Sequence, residues 1–336
     1  MTTIVDVANH ANVSVATVSR FFSAPDKLSK KTALRVREAV DVLKYTPNAL
    51  ARNLNRSRAN AVMILLNDIT NPFLARVVAS ADKVAIDRGY SVLLGNSHFS
   101  QDIEANYISR IQSRVVDGFI QVSSNVHDIM LDPNNTIPFV NLCECPSDAN
   151  YPTVHIDNVA ASREITELLI NLGHQKIGCL MGIFNDKYPS PVTVDRLKGF
   201  QQALQRKGIK YHPEWHLNGD YSFESGYDAA EVLARMKDRP TAVVVGSDEM
   251  ASGFIRGLKN KGIRVPEDIS VTGFDDIPMA RYSEPALTTV AQPSQKMGEV
   301  AMGLLLDLIE GKPLPKTQIK ITHDIVVRES TMPPSA

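Results

Sequence analysis

From Ala61 onward the chain alternates two kinds of segment, and this alternation restricts its fold more than any other feature. Short apolar runs, "AVMILLN", "SVLLGNS", "VDGFIQVSS", "IPFVNLCE", "KIGCLMG", "TAVVVGS" and "ISVTGFDD", are separated by amphipathic stretches near 72–88, 101–113, 158–171, 193–207, 224–237, 248–261 and 294–310. Runs that are apolar throughout read as strands buried on both faces, and the 3.6-residue periodicity between them reads as covering helices. Strand–helix alternation predicts α/β architecture, with parallel sheets carrying helices on both faces. There are too many units for one ordinary sheet, so two doubly wound subdomains are expected. A ligand would then bind beyond the carboxyl ends of the strands, in the cleft between the subdomains.

Composition excludes several classes. At roughly 100–200 residues per domain, 336 residues allow two or three domains. No apolar run reaches the roughly 18 residues of a membrane span, and "MTTIVDVANHANVS" has no basic or apolar leader region. Three cysteines, Cys143, Cys145 and Cys179, do not build a disulfide framework and fit a reducing cytoplasm. Cys143-x-Cys145 lacks the Cys/His partners of a tetrahedral metal site, so no metal is expected. There is no G-x-x-x-x-G-K-[ST], no G-x-G-x-x-G after the first strand and no G-x-S-x-G, so neither an enzyme nor a cofactor is expected.

The net charge of −1 is divided unevenly. Residues 1–58 hold ten Lys or Arg against four Asp or Glu, a net +6, which leaves −7 for the remainder. A basic head on an acidic body suits a polyanion. Three short helices fit this head. Thr3 caps the first, with Asp6 completing a capping box. Ser14 caps a second from Val15 to about Phe22, and Ser29 caps a third whose buried stripe is Val36, Val40 and Leu43. Val18, Phe21 or Phe22, and Leu28 can fill the centre. Two helices joined by a tight turn and braced by a third make a helix-turn-helix. With Val18 facing inward, the second helix presents Val15, Ala16, Ser19 and Arg20 outward. Val and Ala suit thymine methyl groups, Arg20 can bond guanine twice, and the Thr17 and Ser19 hydroxyls can hold phosphates.

The stretch "TIVDVANHANVSVATVSRFF…LSKKTALRVREAVDVLKYTPNALARNL" resembles the DNA-binding head of the LacI/GalR family of bacterial repressors. Asn12 replaces the glycine usual in the turn, and asparagine tolerates the left-handed conformation. The resemblance implies that Thr3, Ser29, Asn48 and Ala51 also touch DNA. It makes "TPNALARNLNRSRAN" a hinge, in which Ala49 to Leu54 forms a short helix, marginal alone. That helix orders when two copies pair in the minor groove, with Leu54 wedged between base steps and Leu50 against its mate.

The body likewise resembles periplasmic sugar-binding proteins. The expected division is a head at 1–46, a hinge and linker at 47–60 and a body at 61–336. The first subdomain would hold about 61–158 and 291–322, the second about 159–290 and 323–332. The resemblance places Phe73, Glu144, Arg196, Tyr221, Ser247 and Asp275 at the effector, with Asp248 reading instead as a helix cap. Arg196 and Asp275 suit vicinal hydroxyls; Phe73 and Tyr221 suit a flat ring. Ser247 and the Cys143–Glu144 pair depart from sugar-responsive members. "SAPDKLS", "YPTVHIDN", "GDYSFESG" and "LTTVAQP" look closest to the cytidine-repressor branch, which implies a nucleoside, with a sugar or purine base as alternative. The implied protein is a cytoplasmic, homodimeric repressor of operator DNA, compatible with a second regulator as partner. The rival is a non-DNA small-molecule binder or enzyme on the same body fold. No heptad tail follows "VVRESTMPPSA", so a dimer is expected rather than a tetramer.

Overall fold

The computed structural model describes residues 2–45, 58–122, 137–143, 151–182, 190–314 and 316–335. Two compact units divide at residue 59. In the first, α1 (Ile4–His10), α2 (Val15–Ser23) and α3 (Lys30–Leu43) pack around Val7, Val18, Val36 and Ala39, all fully buried. Each helix begins at a hydroxyl that accepts a bond from the third amide onward: Thr3 from Asp6, Ser14 from Thr17, and Ser29 from Thr32. Asn12, in the turn after α1, takes a φ of 49°. Phe21, Phe22, Val40, Leu43 and Tyr45 pack around the core's edge.

The body contains two six-stranded sheets. The first comprises β1 (Ala61–Leu66), β2 (Ser91–Asn96), β3 (Gly118–Gln121), β4 (Phe139–Leu142), β5 (Thr153–Ile156) and β11 (Gln318–Ile321), in the order β11-β5-β4-β3-β1-β2. The second comprises β6 (Ile177–Met181), β7 (His216–Asn218), β8 (Ala242–Val245), β9 (Ser270–Asp275), β10 (Thr288–Ala291) and β12 (Asp324–Val326), in the order β12-β10-β9-β8-β6-β7. Every pairing is parallel except β10 with β12. The central strands β3, β4, β6, β8 and β9 are buried throughout, as continuous apolar runs require. β2 is an edge strand that exposes Leu93 and Leu94.

Between the strands run α4 (Pro72–Asp87), α5 (Gln101–Gln112), α6 (Asn158–Asn171), α7 (Pro191–Arg206), α8 (Phe223–Ala234), α9 (Asp248–Asn260), α10 (Pro278–Tyr282) and α11 (Ser294–Ile309). The helices pack in pairs, α4 on α11, α6 on α7 and α8 on α9. Each pair meets at a glycine: a Cβ on Gly298, Gly199 or Gly253 would overlap the backbone carbonyl of Val77, Val159 or Phe223. These helices therefore lie backbone to backbone.

The chain passes between the sheets three times, from β5 into α6, from β10 into α11, and from β11 into β12. The strands concerned, β5 and β11 in one sheet and β10 and β12 in the other, are the first two at one side of each sheet.

Candidate DNA-reading face and effector site

On α2 the side chains divide as the packing demands. Val18 is wholly buried, while Val15, Ala16, Ser19 and Arg20 are exposed. The Thr17 hydroxyl lies 2.9 Å from Ser14 Oγ, so it belongs to the helix cap as well as to the outer face. Thr3 and Ser29 are exposed, with their hydroxyls likewise engaged in capping. The backbone and hydroxyl bonds from Thr3 hold the Asp6 carboxyl below its ordinary range. Asn48, Leu50, Ala51 and Leu54 lie outside the described residues, as does Glu144.

In the body, Arg196 lies in the second turn of α7, and burial dictates its bonds. Its Nε donates to Asn158 Oδ1 at 3.0 Å and its Nη1 to the Gly246 carbonyl at 2.5 Å. Its Nη2 stands 3.9 Å from Asp275 Oδ1, and its plane covers the Phe274 ring at 3.6 Å. Asp275 ends β9 with a φ of 117° and accepts a bond from Gln292 Nε2 at 2.6 Å. Arg196, Asn158, Asp275 and Gln292 are all at least nine-tenths buried. Burial pushes the Asp275 carboxyl up, and Arg196 and Gln292 pull it partly back.

The other expected effector residues are placed differently. Tyr221 has a φ of 72°, and its hydroxyl meets Thr193 Oγ1 at 2.6 Å. Its ring lies over Gly182, where a Cβ would overlap it. Phe73, early in α4, is almost fully buried and packs within the hydrophobic core. Ser247 is almost fully buried, and its hydroxyl caps α9 by accepting the Met250 amide. The cap expected at Asp248 is therefore one residue earlier. Asp248 itself is fully buried and accepts from Thr289 Oγ1 at 2.5 Å and the Ile277 amide at 2.8 Å. Burial and Asp275 push the Asp248 carboxyl far above its ordinary value.

Among the described residues, two bonds from α4 and its cap join the subdomains across the cleft. Asn71 Nδ2 donates to Glu249 Oε2 at 2.8 Å, and Arg76 Nη1 donates to the Asp276 carbonyl at 3.0 Å. Burial, reinforced by Asp275, Asp68 and Glu224, pushes the Glu249 carboxyl up to about 7. Sequence reasoning passed over Asn158, Gln292, Thr193 and the Asn71–Glu249 pair. Asn158 and Gln292 are polar residues directly at strand-to-helix crossings, and that position was a usable signal.

A head with a small-residue helix face and one arginine, joined in one chain to a body holding a buried charged cluster and two open sheets, defines a class: DNA-binding transcriptional regulators with a ligand-binding-protein-like body. Residues 3–48 match the bacterial regulatory proteins of the lacI family, and residues 166–331 match the periplasmic binding protein-like domain. The chain belongs to the LacI family, and it is a regulator, not an enzyme. It is 35% identical over 98% of its length to the HTH-type transcriptional repressor CytR of Escherichia coli (strain K12), covering 96% of that protein. It is similar to the lac repressor dimer bound to operator and the anti-inducer ONPF, with TM-score 0.87, 27% identity and coverage of 98% and 99% of the two chains. A LacI family regulator from Enterococcus faecium with bound ribose gives TM-score 0.73 and 29% identity, over 82% of this chain and 100% of that one.

Proposed function

We propose that the protein is an effector-controlled repressor whose effector is a nucleoside held between the subdomains, cytidine being the first to test. The observation that carries this reading is the buried Arg196–Asp275 pair, a donor fork facing an acceptor carboxylate, which suits a ribose diol. Likeness to a cytidine-branch repressor and to a ribose-bound regulator supports the same chemistry. Tyr221 would receive the base once its hydroxyl exchanged Thr193 for ligand, while Phe73, Ser247 and Glu144 complete the proposed surroundings. A sugar is the second reading, because the same pair suits any vicinal diol.

On DNA, the exposed face of α2 would enter the major groove, with Arg20 on guanine, Val15 and Ala16 on thymine methyls, and Thr3, Thr17, Ser19 and Ser29 near phosphates. Residues 47–60 would act as the hinge, with Asn48 and Ala51 near the DNA, Leu54 in the minor groove and Leu50 against its mate. Effector binding would move one subdomain on the other and so change the spacing of paired hinges.

This reading requires a homodimer. Two apolar surfaces of the body support one. A groove of about 580 Å³, lined by Phe223, Tyr227, Ile255 and Met279 among others, lies across α8, α9 and α10, beside the 77% exposed Tyr282. The edge strand β2 exposes Leu93 at 40% and Leu94 at 43%. Calorimetry with cytidine, adenosine, guanine, hypoxanthine, ribose, galactose and glucose tests the effector. Cytidine is expected to bind; micromolar binding of a hexose, with no heat from any nucleoside, would replace the nucleoside reading with the sugar one.

A further inference from the structure

The turn between α1 and α2 has two sides. On one side, its amides fold back onto α1: Asn12 N bonds to the Asn9 carbonyl at 3.1 Å, and Val13 N to the Ala8 carbonyl at 3.0 Å. This is a helix-terminating loop with its left-handed residue at Asn12. On the other side, the Ala11 and Asn12 carbonyls are both taken by one guanidinium. Arg35 Nη2, from α3, donates to the Ala11 carbonyl at 2.5 Å and to the Asn12 carbonyl at 2.8 Å. Arg35 is half-buried, and among the described residues it pairs with no carboxylate. Its charge stands at the negative end of the α1 dipole, where a cation is favoured.

We infer that Arg35 is a positioning residue for sequence reading: it clamps the α1–α2 turn from α3 and so fixes the angle at which α2 meets DNA, without itself neutralising a phosphate. The geometry makes the angle sensitive to this clamp. Ser14, two residues beyond Asn12, is already the α2 cap, so a change of backbone angle at Asn12 swings α2 as a rod. Arg20 lies six residues along that rod, roughly 9 Å at about 1.5 Å per residue, so a tilt of about 10° displaces its base by about 1.5 Å. A bidentate contact with guanine does not survive such a shift, whereas contacts with the continuous line of phosphates do. Asparagine at position 12 adds to the need for a clamp. A φ of 49° is less favourable for Asn than for glycine, so the turn holds this shape with outside help. One basic residue of a head whose net charge is +6 is thereby spent on its own backbone.

The inference rests on the head reading DNA, and the unaltered full-length protein, assayed alongside, reports on that separately. The probes are the duplex that the unaltered protein selects from a random library and poly(dI-dC) as non-specific DNA, each titrated over a range of salt concentrations. Arg35→Met is expected to weaken binding to the selected duplex by about tenfold. It should leave poly(dI-dC) binding and the slope of log affinity against log salt unchanged. Arg35→Lys, whose ammonium can likewise donate to two carbonyls from one nitrogen but sits on a stem of different length and geometry, should recover part of the loss. Asn12→Gly in the Arg35→Met background should recover more, because glycine takes the turn's backbone angle freely. The structural variants guard against simple unfolding, since an unfolded head would not be rescued at position 12. The inference is overturned by a salt slope that falls by about one per head, with both DNAs weakened alike, because that is the signature of a lost phosphate contact. It is equally overturned if Arg35→Met leaves selected-duplex affinity intact.

Discussion

Replacing Arg196 by methionine tests whether the buried cluster is held together by charge. The substitution keeps most of the side chain's bulk and removes the donors to Asn158 and Gly246, together with the cation beside Asp275. Burial already raises the Asp275 carboxyl, and Arg196 is the chief group opposing the rise. Without the arginine, the folded-state pKa climbs further, while the unfolded value stays near 4. A carboxyl raised on folding destabilises the fold as pH rises through the unfolded value, and continues to do so up to the folded value, by about 1.4 kcal/mol per pH unit. The variant extends that window upward. At pH 8.5 Asp275 is left charged and unpaired beside Asp248, and breaking a buried ion pair in this way costs about 3–5 kcal/mol. At pH 5.5 the carboxyl can take up a proton, and the loss shrinks to that of the hydrogen bonds, about 1–3 kcal/mol. The assay is built into the chain, because its one tryptophan, Trp215, is buried in the second subdomain next to β7. Urea unfolding of the full-length protein, followed by that fluorescence at the two pH values, should give a larger destabilisation at the higher pH. An equal loss at both would refute the electrostatic account and leave Arg196 a packing residue.

Arg20→Ala should cost about 1–3 kcal/mol at one symmetric pair of operator positions, measured by competition between single-base variants of the selected duplex; uniform weakening would assign Arg20 to phosphate. For Glu249, whose carboxyl is raised to about 7, this one group's contribution to body stability is fully present below about pH 4.5 and is lost as pH rises through 7. Glu249→Gln keeps an acceptor for Asn71 and removes that decline, so its unfolding midpoint should exceed the parent's at pH 8 and not at pH 5. Gly253→Ala should destabilise the second subdomain by about 1–3 kcal/mol through overpacking of α8 against α9. It should also weaken self-association in sedimentation, since those helices line the apolar groove; unchanged values on both counts would show that the helix pair yields easily.

What was legible in the sequence was what acts over short distances along it. Thr3, Ser14 and Ser29 announce their helices because a capping hydroxyl bonds an amide three residues away. The inward side of α2 was readable from Val18 because helical periodicity alone separates it from Val15, Ala16 and Ser19. The strands were readable because burial on both faces leaves no polar interruption. The cleft was readable only in part. Arg196 and Asp275 were singled out through resemblance, but their partners Asn158 and Gln292 are joined to them by the fold rather than by spacing. Asp248 misled for a related reason. A carboxylate after a strand suits a helix cap, yet Ser247 takes that place and frees Asp248 to bind Thr289, 41 residues away. Phe73, an aromatic at a helix start, suits a core wall and a ligand wall equally, and local pattern does not separate them.

The grouping of the three crossings at one side of both sheets gives the cleft a lever arm. Two stiff plates joined along one margin rotate about a line near that margin, and displacement grows with distance from it. Asn158 and Gln292 sit at the crossings, close to the axis, so their bonds to Arg196 and Asp275 change little as the plates turn. β1, which leads to Asn71, lies three strands beyond β5, roughly 14 Å at about 4.8 Å per strand, so a rotation of about 10° moves that rim by about 2–3 Å. That travel is enough to make or break the Asn71–Glu249 bond at 2.8 Å. A ligand shifts a conformational balance only by the difference in its affinity for the two positions. On the proposed effector reading, groups near the axis would therefore set how tightly an effector is held, and groups at the far rim would set how strongly it is felt. Two compounds of equal affinity, one confined to Arg196 and Asp275 and one reaching Asn71 and Glu249, would thus differ as switches.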